Sequence, residues 1–236
     1  MATPAAQLVS DQETGTSNVS AIDNRIQRVF RLQQEKALKL RESTAAERIE
    51  KIEKLRDAIL DRRNEIYAAM AADFRKPEAE VDLGELMVVV QEANDAIKHI
   101  KGWMKPRRAK STTALMGIQN RITYEPMGVC LIIAPWNFPV NLLIGPLISA
   151  LAAGNTAMIK PSEMTPATSG LMEKILDSLF EENEVATFQG EADVSQALLE
   201  LKFDHCFFTG SPAVGKLVMQ ACGKNLTSVT LELGCK

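Results

Sequence analysis

Four short polar motifs stand out in the 236-residue chain, and each of them closes or follows an apolar run. The first is Pro135-Trp136-Asn137-Phe138-Pro139. Its prolines restrict the backbone and its rings exclude water, so the Asn137 amide can donate to a developing oxyanion; an ordinary turn asparagine would read the same way. The second is Lys160-Pro161-Ser162-Glu163. Pro161 keeps Lys160 out of helical geometry, so an ammonium and a carboxylate are presented together. They can grip the hydroxyls of a ribose, or Lys160 a phosphate; an exposed surface pair is the alternative. The third, Phe207 to Lys216, holds Gly210-Ser211-Pro212-Ala213-Val214-Gly215 at an expected strand-to-helix junction. Gly210 is expected to allow a tight turn and Gly215 close helix packing, and a helix N-terminus offers N–H groups to an anion. The spacing is Gly-x-x-x-x-Gly, without the usual dinucleotide fingerprint, and Leu217 after Lys216 excludes a P-loop. The fourth is Leu231-Glu232-Leu233-Gly234. A glutamate flanked by leucines is expected to be desolvated, which suits a general base; a strand-end glutamate facing water is the alternative.

The elements that must carry these motifs read as an α/β fold. Residues 129–134 form a continuous apolar run of the kind buried on both faces of a parallel sheet. A helix over 139–153 and a short strand over 156–159 complete a βαβ unit. Further strands are expected over 185–188, 205–208 and 229–233, with helices from Thr165 or Thr168 to Phe180, over 192–201, and from Ser211 to Ala221. The expectation is a Rossmann-like, mainly parallel five-stranded sheet with helices on both faces, its polar residues at the carboxyl edge where open α/β sheets bind ligands.

Before the sheet comes an N-terminal helical layer. Residues 1–20 read as a mobile tail, 21–117 as a helical region, 118–126 as an arm strand and 127–236 as a dinucleotide-binding domain. Ile22, Ile26, Val29, Phe30, Ala37 and Leu40 share one helical face. Thr44-Ala45-Ala46-Glu47 is a capping box, followed by an apolar stripe from Ile49 to about Phe74 that Pro77 stops. A third stripe runs through Leu83, Leu86, Met87, Val90, Ile97 and Met104 to Pro106, and the basic cluster 105–110 reads as a solvated linker.

Bulk properties narrow the partners. A net charge of −3 gives no electrostatic case for nucleic acid or an anionic membrane. No apolar run is long enough to span a bilayer, and the start lacks a secretion signal. Cys130, Cys206, Cys222 and Cys235 show no metal-type spacing and read as reduced thiols of a cytoplasmic protein, with no metal site expected.

Taken together and in this order, the four motifs resemble the aldehyde dehydrogenase superfamily over residues 22–236. The helical start and the Phe203-Asp204-His205 spacing are most similar to the class 3 branch, which takes fatty, aromatic or coniferyl aldehydes. The resemblance implies oxidation of an aldehyde to a carboxylic acid with NAD or NADP. Asn137 matches the oxyanion-stabilising asparagine and Glu232 the glutamate that activates water for deacylation. Lys160 and Glu163 match the residues that hold the adenosine ribose, Gly210, Ser211, Pro212, Ala213, Val214 and Gly215 match the turn under the pyrophosphate, and Pro135, Trp136, Ser162, Leu233 and Gly234 are implied as further cofactor-binding residues. It also implies a homodimer using an arm. Two departures stand out. Cys235 replaces the second glycine of Glu-Leu-Gly-Gly-Lys, and the family's nucleophilic cysteine would fall roughly three dozen residues past Glu232, whereas the chain ends after four more. Residues 1–236 alone are therefore expected to be inactive toward aldehydes and poorly soluble. The alternative is a non-catalytic dinucleotide-binding or regulatory module.

Overall fold

The computed structural model describes residues 4–110 and 118–234, with side chains from Ala21 onward. Two strands, β1 (Arg107–Ala109) and β2 (Asn120–Ile122), pair antiparallel as a separate arm. The linker expected at 105–110 thus carries a strand. Five more strands, β3 (Val129–Ile133), β4 (Thr156–Lys160), β5 (Val185–Thr187), β6 (His205–Gly210) and β7 (Ser228–Leu233), form one all-parallel sheet in the order β5-β4-β3-β6-β7. Every residue of β3, β4 and β5 is buried, as continuous apolar runs require when both faces are covered. The chain reverses its direction of winding between β3 and β6, so the carboxyl ends of these two neighbours frame the crevice where such sheets take ligands.

Helices cover both faces. On one side α2 (Ala45–Asp61), α3 (Arg63–Phe74), α5 (Met87–Trp103), α6 (Asn141–Ala153) and α7 (Pro166–Leu179) share a core with Ile132, Ile159 and Val185. On the other, α1 (Pro4–Leu40), α8 (Ala192–Leu199) and α9 (Pro212–Lys224) pack on Val129, Leu131, Met158 and Phe188. The expected helical layer is thus divided. Its first helix lies across the opposite face, where buried Gln33 donates to the carbonyls of Ala157 and Glu182, at 3.0 Å each. Helical backbone in α1 begins at Pro4, within the stretch expected to be a tail.

Local chemistry accounts for most boundaries. Thr44 and Glu47 make the capping box that opens α2, and Ser211 caps α9 with Pro212 in its first turn. The stripe from Ile49 to Phe74 is two helices that part at Arg62. The third stripe is corrected as well. After α4 (Glu78–Val81), residues Asp82–Leu86 form a π-helical turn, whose extra residue rotates the following face. Leu83 and Met87 are consequently exposed, and the buried face is Leu86, Val89, Ala93, Ala96 and Ile100. That same turn buries Glu85 completely.

Candidate active site

All four motifs lie at the carboxyl edge of the sheet. Asn137 follows β3, Lys160 ends β4 in register with Ile133, Ser211 follows β6, and Glu232 and Leu233 close β7. This juxtaposition is what a ligand laid across β4, β3, β6 and β7 requires.

The first helical turns at this edge differ in one respect. A helix N-terminus leaves backbone donors without intrahelical partners and carries partial positive charge. At α6 those donors are taken, because Glu85 Oε2 accepts from the Val140 and Asn141 amides at 3.2 and 2.8 Å. At α7 they are taken by Asp73, which accepts from the Ala167 and Thr168 amides at 3.2 and 2.8 Å and from the Thr168 hydroxyl at 2.7 Å. The cap expected from Thr165 or Thr168 is therefore replaced by a carboxylate from α3. At α9 the Ser211 hydroxyl accepts from Val214 at 3.3 Å and no acidic residue stands in the first turn. Helix geometry leaves the Ala213 N–H without an intrahelical partner. Of the helices after β3, β4 and β6, α9 is the one without a carboxylate on its N-terminus, which makes it receptive to an anion.

The two glycines of this motif act differently from each other. Gly215 is buried, and a Cβ there would come within 2.7 Å of Leu233 Cδ2, so glycine lets α9 seat on β7. Gly210 does not make the tight turn expected of it; it ends β6 in regular pairing with Leu233. Glycine is needed there because the Phe208 ring occupies the space a Cβ would fill, at 2.5 Å.

Lys160 is buried and its ammonium bonds the Glu163 carboxylate, which is half exposed. Burial is the largest single effect on the Glu163 carboxyl and raises it, but the bond to Lys160, the residue's own backbone amide and the Lys160 charge together outweigh it, and the pKa falls below the ordinary value. A small pocket of about 170 Å³ adjoins the pair, walled by Pro161, Glu163, Gln189 and Gly190. Ser162 also lines it, yet its Oγ accepts from the Met164 amide at 3.2 Å and its carbonyl anchors Ser169, so it shapes the turn.

Trp136 and Phe138 are partly exposed, with Trp136 stacked on Phe74 at 6.4 Å between centroids. Asn137 is exposed. Glu232 is exposed too, so it faces water rather than taking the desolvated place its leucine neighbours suggested. With Leu233 and Gly234 it lines a groove of about 1330 Å³ whose far wall is Asn141, Gly145 and Ser149 of α6. Glu163 borders the small pocket, Glu232 borders the large groove, and Lys160 and Asn137 line neither. Cys235 lies outside the described residues.

The Aldehyde dehydrogenase family profile matches residues 10–236. The chain belongs to that family. It is 44% identical over 211 residues to AldX of Bacillus subtilis, which bears the name of an aldehyde dehydrogenase, covering 89% of this chain and 47% of that one. It is 43% identical over 212 residues to a protein of Caulobacter vibrioides named as a probable coniferyl aldehyde dehydrogenase, covering 87% and 44%. A substrate-bound structure of Staphylococcus aureus AldH superposes with a TM-score of 0.87 at 36% identity, over 89% of this chain and 46% of that one. The chain thus spans about half the length of the curated relatives it matches. The aldehyde dehydrogenase resemblance and the five-stranded parallel fold are borne out by these likenesses.

Sequence reasoning passed over Glu85, Asp73 and Lys76. The first two read as surface charges on helices, and their work as caps depends on tertiary placement. Glu85 is wholly buried; burial raises its carboxyl above the ordinary range against the lowering effect of its bonds from Asn141, Lys76 and Val140. The folded chain therefore holds this proton more tightly than the unfolded one. The contribution is fully present below the unfolded value and is lost as pH rises through the folded value. Relative to the parent, Glu85→Gln is thus expected to gain stability as pH rises from about 4 to about 7. Urea denaturation across that range checks this, and a relative loss with rising pH would contradict the burial argument.

Proposed function

We propose that this chain provides the dinucleotide-binding part of an NAD(P)-dependent aldehyde dehydrogenase that oxidises an aldehyde to a carboxylic acid. The observation that carries the reading is the α9 N-terminus, which no carboxylate among the described residues occupies, at the β3–β6 crevice, with β3 lying between β6 and the strand β4 that ends in Lys160 of the Lys160–Glu163 pair. A pyrophosphate fits the Ala213 N–H and the α9 dipole, and ribose hydroxyls fit a paired ammonium and carboxylate. A bound dinucleotide supplies the hydride acceptor. Asn137 would donate to the oxygen of the aldehyde carbon as charge builds there, and Glu232, open to solvent, would take the proton of the water that cleaves the acyl group, as the acid, from a nucleophile supplied from outside the described residues.

A nucleophile is not among the described thiols. Cys130, Cys206 and Cys222 are buried in the core. Burial, with the Asp204 charge nearby, pushes the Cys130 thiol up to about 12, and the Cys206 thiol is raised by its bond to Cys222 and by burial. Those buried thiols favour a second reading, a dinucleotide-binding module without chemistry of its own. Both readings require binding. Calorimetric titration of the chain with NAD⁺ and NADP⁺ tests them together, and absence of heat with either would remove both. Aldehyde-dependent formation of reduced cofactor separates them.

The half-exposed Glu163 carboxylate opposes a 2′-phosphate, so NAD⁺ is expected to bind more tightly than NADP⁺. Glu163→Ala removes that repulsion and releases Lys160, and should narrow the gap by about 10-fold or more. Equal affinities in the parent chain would refute the assignment. We also propose a cytoplasmic homodimer that uses the β1–β2 arm, checked by sedimentation of the parent and an arm-deleted chain. Among the described residues no helix is long and apolar enough to cross a membrane.

A further inference from the structure

The loop that presents Asn137 is held from below by two charged residues of the helical layer. Lys76, between α3 and α4, is almost wholly buried, and Glu85 in the π-helical turn is completely so. Their Nζ and Oε1 lie 3.2 Å apart. The Lys76 ammonium also donates to the Asn137 carbonyl at 3.2 Å and sits 4.5 Å from the centroid of the Phe138 ring. Glu85 Oε2 takes the Val140 and Asn141 amides, and the Asn141 side chain returns a bond to the Gly84 carbonyl at 3.3 Å. One end of the pair therefore grips the Asn137 peptide and the other grips the start of α6, three and four residues on. At its other end the loop is tied to the sheet, where the Ala134 amide donates to the Lys160 carbonyl at 3.0 Å.

We propose that Lys76 and Glu85 are positioning residues that set the main-chain orientation from which Asn137 reaches the aldehyde oxygen. The inference rests on the aldehyde-oxidising reading for the purpose of the loop, but the mechanical coupling stands apart from it. Two features argue that the pair is more than packing. Glu85 occupies the α6 donors that would otherwise attract an anion, so oxyanion stabilisation from this loop is left to the Asn137 amide. A buried carboxylate and ammonium are also costly to separate, because removing one strands the other. The loop is thus held in one geometry by partners that act only as a unit. The π-helical turn is what brings Glu85 inward, since it rotates the face that an unbroken helix would keep exposed.

The test uses the full 236-residue chain labelled with ¹⁵N-asparagine, with the Asn137 side-chain amide assigned through Asn137→Ala. Lys76→Met and Glu85→Gln are each expected to broaden or split that resonance, with loss of at least about half its intensity through microsecond-to-millisecond exchange. The double variant is expected to be no worse than either single one, as residues acting as a unit behave. Ile52→Val, a core change in α2, serves as the control for general loosening. An unchanged Asn137 signal in both single variants would overturn the proposal. So would additive effects in the double variant, or an equal change in Ile52→Val. Titration of the parent with NAD⁺ reports separately on the proposed function, so failure of binding with a perturbed loop would sink that reading and leave the positioning pair standing.

Discussion

Ala213→Asp is expected to weaken NAD⁺ binding by at least about 100-fold while leaving thermal stability unchanged or slightly improved. The design copies what the fold does elsewhere. Glu85 and Asp73 show that a carboxylate seats readily on the first-turn amides of α6 and α7. Ala213 is exposed in the first turn of α9, which has no acidic residue of its own. An aspartate there would meet the free donors and the positive end of the helix dipole, worth about 0.3–1 kcal/mol to the folded state. The same charge would face the phosphates of the dinucleotide. At about 5 Å and an effective dielectric of about 20, each negative charge costs about 3 kcal/mol, so repulsion from a pyrophosphate exceeds two factors of ten in affinity. Calorimetric titration and a thermal melt on the same sample are the measurements. Unchanged affinity would mean that the phosphates do not sit at α9, and a lowered melting temperature would mean that the capping argument is wrong.

The parts of this molecule that could be read from sequence are those governed by local rules. Residues 129–134 are apolar without alternation, and only a strand covered on both faces satisfies that pattern at such length. The helix starts at Thr44 and Ser211 were legible because the capping group lies within three residues of the amide it serves. Asn137, Lys160, Glu163 and Glu232 were legible as site candidates because each is a polar residue at or just past the end of an apolar strand segment, the place where a parallel sheet exposes its ligand edge.

What stayed hidden depends on residues far apart in the chain. Asp73 caps a helix 94 and 95 residues away, and Glu85 one 55 and 56 residues away. In sequence each is one more acid in a charged helix, indistinguishable from Glu78 or Glu80. The π-helical turn defeated the 3.6-residue period, so Leu83 and Met87 were placed inside when they face out. The strand Arg107–Ala109 carries three residues with no apolar alternation, and its pairing with Asn120–Ile122 is a non-local event. Gly210 was assigned a turn because glycine allows one, whereas its need comes from the ring of Phe208 two residues earlier. The exposure of Glu232 shows the same limit, since leucine neighbours in a strand point to the opposite face and say little about the environment of the residue between them.

Gly128→Ala is expected to be the most destabilising small substitution at the sheet's amino edge, by about 3–5 kcal/mol, or a fall of roughly 10 °C in melting temperature. Gly128 has φ of +136°, a region that residues with a Cβ avoid. A Cβ there would also strike Asp204, whose Oδ2 accepts from the Val129 amide at 2.8 Å. The Gly128 amide itself donates to Asn155 Oδ1 at 3.0 Å. One methyl group therefore acts on three things at once. It imposes backbone strain of about 1–3 kcal/mol. It displaces the carboxylate that joins the start of β3 to the start of β6, leaving the Val129 N–H unpaired at about 1–3 kcal/mol. It also disturbs the bond that joins β3 to the segment before β4. All of this happens at the end of the sheet opposite the site, so dinucleotide affinity measured on the folded fraction should stay within about two-fold of the parent. Adding Asp204→Ala removes the collision but neither the strain nor the lost bond, so the double variant should recover less than about half of the lost stability. Full recovery would show that the clash alone made glycine necessary, and a wild-type melting temperature in Gly128→Ala would show that the chain bends elsewhere to enter β3.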